Sequence, residues 1–281
     1  MTTHALTFDL EEWFHLVGVR AMDDRAAWSG FEPTVERETG RILDLLAEHE
    51  TRATFFVLGW VADRYPALIN RIAEAGHELG SHSFWHYEVY RHTRQSFQAD
   101  IAASIDAIEQ AGGTKVLGFR APSFSLVPGC EWALDVLLDQ GLVYDASIFP
   151  ARRAHGGYPS GRWPDTLATP SGRTIHELPM SLYEFGPMRV PFSGGGYLRL
   201  MPTRLIHHAI RQHERYGRPA VVYLHPWDFA PGGPRTAMPL TSRIKCYQHR
   251  SSTAPKLASL LQRYRFDRCA KLLGLDATAN L

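Results

Sequence analysis

Two histidines four residues apart, His82 and His86, close the run AGHELGSHSFWH, and an acidic cluster of Asp9, Glu11 and Glu12 stands upstream in LTFDLEEWFH. On a helical turn that spacing puts both imidazoles on one face, and a carboxylate from a separate strand can add a third ligand. Three protein ligands leave coordination positions open for water and substrate. That is the arrangement of a hydrolytic metal centre, whereas structural zinc sites are closed by four ligands and are rich in Cys. Within a strand alternate side chains share a face, so Asp9 and Glu11 point one way and Leu10 and Glu12 the other. One of the pair can hold a divalent metal while the other takes a proton from water.

The chain has 14 His, so a chance H-x-x-x-H is easily found. The context separates this one: His82 directly follows the strand-like ELGS, not the middle of an amphipathic helix. His225 ends the apolar run VVYL, where an imidazole is suited to protonate a leaving amine. His49, His92, His207, His208, His213 and His249 are read as surface or packing residues.

The elements that must position these groups follow from periodicity. Short apolar runs, ALTFDL, ATFFVLG, HELGSHS, VLGFRAP, LVYDASI, IHELPMSL and AVVYLHP, alternate with stretches of helical period. In Thr93 to Gln110, Phe97, Ile101, Ile105 and Ile108 share a face, and Pro128 to Gln140 is closed by Gly141. Repeated βα units of this kind predict a distorted (β/α)7-type barrel with incomplete closure. Asp9, His82, Arg120, Asp145 and His225 all lie at or just past the C-terminal end of an apolar run, and in such a barrel those ends converge on one mouth.

The stretch from Ala151 to Arg173 reads as a long irregular connection, a lid or substrate wall. Gly194 to Gly196 reads as a tight turn before a helix from Thr203 to Tyr216, because no Lys or Ser/Thr stands at the spacing of a phosphate-cradling loop. Beyond His225, DFAPGGPRTAMPLTSRIKCYQHR reads as a surface segment leading to one amphipathic helix, Ala254 to Tyr264. The whole chain, 1–281, is expected to form a single domain with a C-terminal extension from about residue 230.

Composition narrows the classes. A net charge of +1 from 30 basic and 29 acidic residues leaves no footprint for nucleic acid or an anionic membrane. No stretch is long and apolar enough for a transmembrane segment, and no signal sequence is seen at the N-terminus, which predicts a cytoplasmic protein. Cys130, Cys246 and Cys269 are far apart, against both a disulfide framework and a thiolate metal site.

Taken together, TFDLEEW, SHSFWH, FRAPSF, YDAS and YLHPW resemble the ordered motifs of the polysaccharide deacetylases, the NodB-type domain of carbohydrate esterase family 4. The resemblance covers about residues 4 to 230 and is nearest to the exopolysaccharide and exosortase-associated branch, through FRAPSFS, GGGY and the HPWD-like stretch. It implies a divalent metal, usually zinc, and hydrolysis of N-acetyl groups on the amino sugars of an exopolysaccharide or its lipid-linked precursor. By the same resemblance Asp9 matches the catalytic base, His82 and His86 the metal-binding histidines, Arg120 the arginine that orients the base, and His225 the general acid. Asp145 is the implied anionic partner of His225, with Asp228 second.

The first motif departs from the family's two adjacent aspartates, so the carboxylate ligand is assigned from strand alternation as Glu11. The third motif lacks the usual tyrosine, which leaves the backbone N–H of Ser123 or Phe124 as oxyanion donor. The alternatives are an amidohydrolase acting on another small amide or cyclic imide, and a carbohydrate-binding pseudoenzyme.

Overall fold

The computed structural model describes residues 2–19, 22–151, 156–159 and 165–275. Its strands are β1 (Thr3–Leu10), β2 (Thr54–Val57), β3 (Glu78–Ser81), β4 (Gly118–Phe119), β5 (Tyr144–Asp145), β6 (Thr166–Ala168), β7 (Thr174–Glu177), β8 (Leu182–Phe185), β9 (Met188–Pro191), β10 (Val221–Leu224) and β11 (Arg265–Asp267). The main sheet runs β10-β1-β2-β3-β4-β5-β7-β6, with β11 paired to β1. Every pairing from β10 to β7 is parallel. A parallel sheet covered on both faces needs near-continuous apolar strands, and β1 and β2 meet that requirement with almost every residue buried.

The seven apolar runs read from the sequence are these seven parallel strands, and the fold is the anticipated open (β/α)7-type barrel. No hydrogen-bonded strand pair among the described residues joins β7 to β10. Irregular chain bridges that gap: Val221 N–H donates to Ser181 Oγ at 2.8 Å, and Tyr223 N–H donates to the Ser193 carbonyl at 2.9 Å. The helix Arg94–Gly112 is capped by Thr93 and buries Phe97, Ile101 and Ile108. No helix among the described residues is long and apolar enough to cross a membrane.

Three sequence expectations change. The stretch from Ala151 to Arg173 is not wholly irregular: Thr166–Ala168 forms β6, antiparallel to β7, while residues 152–155 and 160–164 lie outside the described residues. The glycine triplet does not make a free turn but opens the helix Gly195–Leu200, with Gly194 at its N-cap. Close approach explains the glycines. A Cβ on Gly194 would fall 1.7 Å from the Tyr223 ring, and one on Gly196 would fall 2.4 Å from the Lys245 carbonyl.

The segment beyond His225 is exposed over most of residues 231–249, as expected, but it is anchored at both ends and folds between them. It buries Asp228 and Arg250, forms the helix Leu240–Tyr247, and later supplies β11 beside the first residues of β1.

A further close contact in the barrel pairs Gly118 with Tyr144, whose hydroxyl donates to Glu78 Oε1 at 2.8 Å. A Cβ on Gly118 would meet the Tyr144 ring at 1.9 Å. Gly118→Ala should therefore destabilise the protein by about 1–3 kcal/mol, the usual cost of overpacking a core. Thermal denaturation checks this, and an unchanged melting temperature would show that the ring has room to move.

Candidate metal centre and acid–base site

The C-terminal ends of β1, β3, β4 and β10 open on a cleft of about 460 Å³ lined by Asp9, Glu11, His82, His86, Ser123 and His225 among others. Asp9 is the penultimate residue of β1 and Glu11 follows its end, and both side chains reach the cleft. Glu12 turns away. Its carboxylate accepts from Thr34 N–H (2.8 Å), Thr34 Oγ1 (2.9 Å) and Val35 N–H (3.0 Å), holding the N-terminus of the helix Val35–Glu48. Strand alternation thus sends the two neighbouring glutamates to different tasks.

His82 and His86 do come together, with ring centroids 5.1 Å apart, but not on a helical turn. The chain from His82 to Glu88 is an irregular loop in which Ser83 (φ 64°) and His86 (φ 56°) are both left-handed. Its own hydrogen bonds explain the shape: Asp100 accepts from the N–H groups of Phe84 (2.8 Å) and Trp85 (3.2 Å), and Ser83 Oγ accepts from His86 N–H (3.0 Å). A carboxylate from the neighbouring helix takes amides that a helical turn would have used internally.

One ligand atom from each of Glu11, His82 and His86 lies within 4.8 Å of the others, and all three residues are buried. The donor set of two imidazoles and one carboxylate fits a catalytic zinc-type site. Two local observations agree. His82 Nδ1 is bonded to the Arg120 carbonyl at 2.7 Å, the outer contact that commonly fixes a ligating imidazole and leaves Nε2 free. Glu11 Oε2 lies 2.7 Å from His86 Nε2 yet has no hydrogen-bond partner. Burial holds His82 down at about 4, so its lone pair is available at neutral pH. Burial alone would push Glu11 up, but the charge of His86 beside it, with those of His225 and His82, brings it below the ordinary carboxylate range.

Arg120, fully buried just past β4, donates from Nη1 to Asp9 Oδ1 at 2.7 Å and to Thr7 Oγ1 at 2.8 Å, and from Nε to the Ala146 carbonyl at 3.2 Å. Burial works against the Asp9 carboxylate. Arg120 first, then His82 and His225, outweigh it and hold Asp9 below its usual range. His225 Nε2 stands 3.9 Å from Asp9 Oδ2 and 3.7 Å from Glu11 Oε1 across the cleft. Its ring stacks on Trp227 at 4.6 Å and 16°.

The anionic partner of His225 is Asp228, not Asp145. His225 Nδ1 meets Asp228 Oδ2 at 3.0 Å, and Asp228 is paired in turn with the buried Arg199 of the helix Gly195–Leu200. Asp145 instead accepts from the hydroxyl (2.5 Å) and the N–H (3.1 Å) of Ser147, two residues on. Ser147 Oγ accepts from Ala121 N–H at 2.7 Å, so Asp145 braces the segment that carries Arg120. Sequence reading missed Arg199, which has no local signal, and ranked Asp228 second although its i+3 spacing from His225 was visible. Of the two backbone donors considered, Phe124 N–H is already bonded to the Ala121 carbonyl at 3.0 Å, which leaves Ser123.

Residues 20–127 match the family model described as Polysaccharide deacetylase, and residues 146–274 match one described as Domain of unknown function (DUF3473). His82, His86 and Arg120 fall in the first match, His225 and Asp228 in the second, and Asp9 and Glu11 precede both. The chain thus joins a polysaccharide deacetylase match over 20–127 to a match of undefined function over 146–274. It is 36% identical over 90 residues to a chitooligosaccharide deacetylase of Rhizobium leguminosarum bv. trifolii, covering 32% of this chain and 42% of that protein. It is 29% identical over 98 residues to a peptidoglycan-N-acetylglucosamine deacetylase of Bacillus cereus, covering 34% of this chain and 36% of that protein. The matched region thus spans about two fifths of either relative.

Among solved structures, a Mycobacterium smegmatis protein assigned to the polysaccharide deacetylases matches with a TM-score of 0.61 at 19% identity, over 100% of this chain and 93% of that one. A peptidoglycan N-acetylglucosamine deacetylase matches with a TM-score of 0.53 at 17% identity, over 96% and 87%. These likenesses establish the shared fold.

The positions of Glu11 and Glu12 set a direct test. Glu11→Gln should weaken zinc binding by well over tenfold, whereas Glu12→Gln should lower stability with little change in zinc affinity, because it serves a helix end. Zinc titration and chemical denaturation of both variants check this, and the reverse ranking would move the ligand to Glu12.

Proposed function

We propose that this protein is a metal-dependent N-deacetylase that removes acetyl groups from amino sugars of a glycan. The observation that carries the reading is the division of one cleft into a carboxylate–imidazole cluster, a carboxylate fixed by a buried arginine, and an imidazole backed by Asp228. The names of the relatives, which act on chitooligosaccharide or peptidoglycan N-acetylglucosamine, support the sugar class. The resemblance of FRAPSFS, GGGY and HPWD to the exopolysaccharide branch supports an exopolysaccharide or its lipid-linked precursor as the polymer. We take residues 1–281 as one domain, with the segment beyond 230 part of its sheet and its cleft.

A divalent cation, for which we propose zinc, would be held by Glu11, His82 and His86, and would polarise the acetamide carbonyl and acidify the attacking water. Asp9 accepts the water's proton at Oδ2, because Oδ1 is held by Arg120. A carboxylate kept ionised by a guanidinium is a weakened base, so it suits a water already acidified. The backbone N–H of Ser123, in the left-handed turn where φ is 55° at both Ser123 and Phe124, is the donor for negative charge growing on the acetyl oxygen. The proton taken by Asp9 passes to His225 Nε2, 3.9 Å away, which then delivers it to the departing nitrogen. Burial keeps this imidazole below its ordinary value, and Asp228 at Nδ1 fixes the tautomer and stabilises the imidazolium as it forms.

Acetate release from N-acetylglucosamine oligomers tests the reading. Asp9→Asn and His225→Ala should each retain zinc, and each should lose about 10²–10⁴-fold in kcat, the usual contribution of a positioned base or acid. An Asp9→Asn variant that deacetylates at the parental rate would place the base elsewhere, and absence of acetate from the zinc-loaded parent would remove N-deacetylation of these sugars.

A further inference from the structure

Between Phe229 and Phe266 the chain has no Asp or Glu but seven Lys and Arg, in a protein whose total net charge is only +1. The remainder is therefore net acidic, and the basic excess is concentrated on the segment that closes the cleft. Some of these cations have internal work. Lys256 Nζ donates to the carbonyls of Leu198 (3.0 Å), Arg199 (2.6 Å) and Met201 (2.8 Å), and buried Arg250 donates to the Cys246 carbonyl at 2.9 Å.

Three do not. Arg235, Arg243 and Lys245 are all exposed, and none of the three forms an ion pair with a carboxylate among the described residues. Elsewhere on the surface several arginines are paired, Arg37 and Arg41 with Glu38, Arg91 with Glu88, and Arg94 with Asp139.

The position of these cations gives them a ligand. On the helix Leu240–Tyr247, Ser242, Lys245 and Cys246 share a face and line the cleft with Asp9, Glu11 and His225. Lys245 Nζ lies 5.5 Å from the centre of the Tyr197 ring, another cleft residue. Arg243 and Arg235 gather around Tyr247 on the adjoining face, where the Arg235 guanidinium is 5.7 Å from the ring centre. The acids of the cleft, Asp9 and Glu11, are held by Arg120 and His86. A substrate extending from the reacting acetamide toward this helix meets aromatic faces and cations without partners.

We propose that the substrate is an anionic amino-sugar glycan, with negatively charged groups on or beside the acetylated residue held by Lys245 and Arg243. The inference rests on the deacetylase reading for its substrate class. The shared chemistry is an oxyanion, which a uronate carboxylate or a sugar diphosphate can supply. A membrane surface is the lesser reading, because the same helix that carries Arg243 lines the catalytic cleft with Lys245.

The test measures binding and catalysis separately. Zinc-loaded Asp9→Asn protein is titrated at low ionic strength with chitopentaose, with an oligosaccharide of alternating N-acetylglucosamine and glucuronate, and with a nucleoside diphosphate-N-acetylglucosamine. At least one anionic ligand should bind roughly five- to tenfold tighter than chitopentaose, the scale of two exposed ion pairs. That preference should disappear in the Arg243→Gln, Lys245→Gln double variant and in high salt, and whichever anionic ligand shows it identifies the charge. On the otherwise wild-type enzyme the double variant should raise KM for that ligand's sugar far more than it alters kcat.

Equal affinity for neutral and charged ligands overturns the inference while leaving the deacetylase reading intact. Preferential anion binding with no acetate released from any substrate instead defeats the deacetylase reading. If the double variant loses binding to phosphatidylglycerol vesicles while its oligosaccharide affinities are unchanged, the basic face is a membrane surface and the inference fails.

Discussion

The structure depends on one buried guanidinium. Arg120 has no solvent exposure, and its charge is stabilised only by what surrounds it: Asp9, Thr7, the Ala146 carbonyl, and the Phe56 ring 4.2 Å from the guanidinium carbon. A buried ion pair of this kind adds little net stability, but losing one partner costs about 3–5 kcal/mol, so the pair specifies its own geometry. The same residue fixes a second group, because its carbonyl takes the Nδ1 proton of His82. The proposed base Asp9 and the candidate ligand His82 are therefore registered to one residue at the end of β4. The brace behind it, Asp145 to Ser147 to Ala121, keeps that residue from shifting.

A similar device operates on the other side of the cleft. His225 leaves β10, Asp228 returns to it from the next turn, and Arg199 crosses from the glycine-led helix to hold Asp228. Arg199 also donates to the Gln248 carbonyl at 3.1 Å and to the Lys245 carbonyl, so the acid side of the site is tied to the helix that walls the cleft. The region matched by the second family model thus contributes part of the chemistry and much of the wall.

Much of this was legible in the sequence where a local rule carried it. Seven apolar runs made seven parallel strands, polar residues at their ends met at one mouth, and the period of two divided Glu11 from Glu12. Rules of wider reach failed where a distant or looping partner decided the outcome. The spacing of His82 and His86 suggested a helical turn, but Asp100, on a helix further along the chain, drew their backbone into a left-handed loop. Asp145 sat at a strand end like the others, yet Ser147 captured its carboxylate in a local turn. Arg199 resembles any arginine on a short helix, and its pairing with Asp228 spans 29 positions of sequence with no periodic signal. The short strands β6, β8, β9 and β11 were also unreadable, since most of their residues are exposed or half-buried and none is a continuous apolar run.

The central claim is that two carboxylates on one face of β1 divide the work, Glu11 holding the metal and Asp9 moving the proton. X-ray absorption at the zinc edge, on protein loaded with one equivalent, separates them most directly. The account predicts a first shell containing two imidazoles and a carboxylate, unchanged by Asp9→Asn and altered by Glu11→Gln. A shell that changes with Asp9→Asn but not with Glu11→Gln would contradict it.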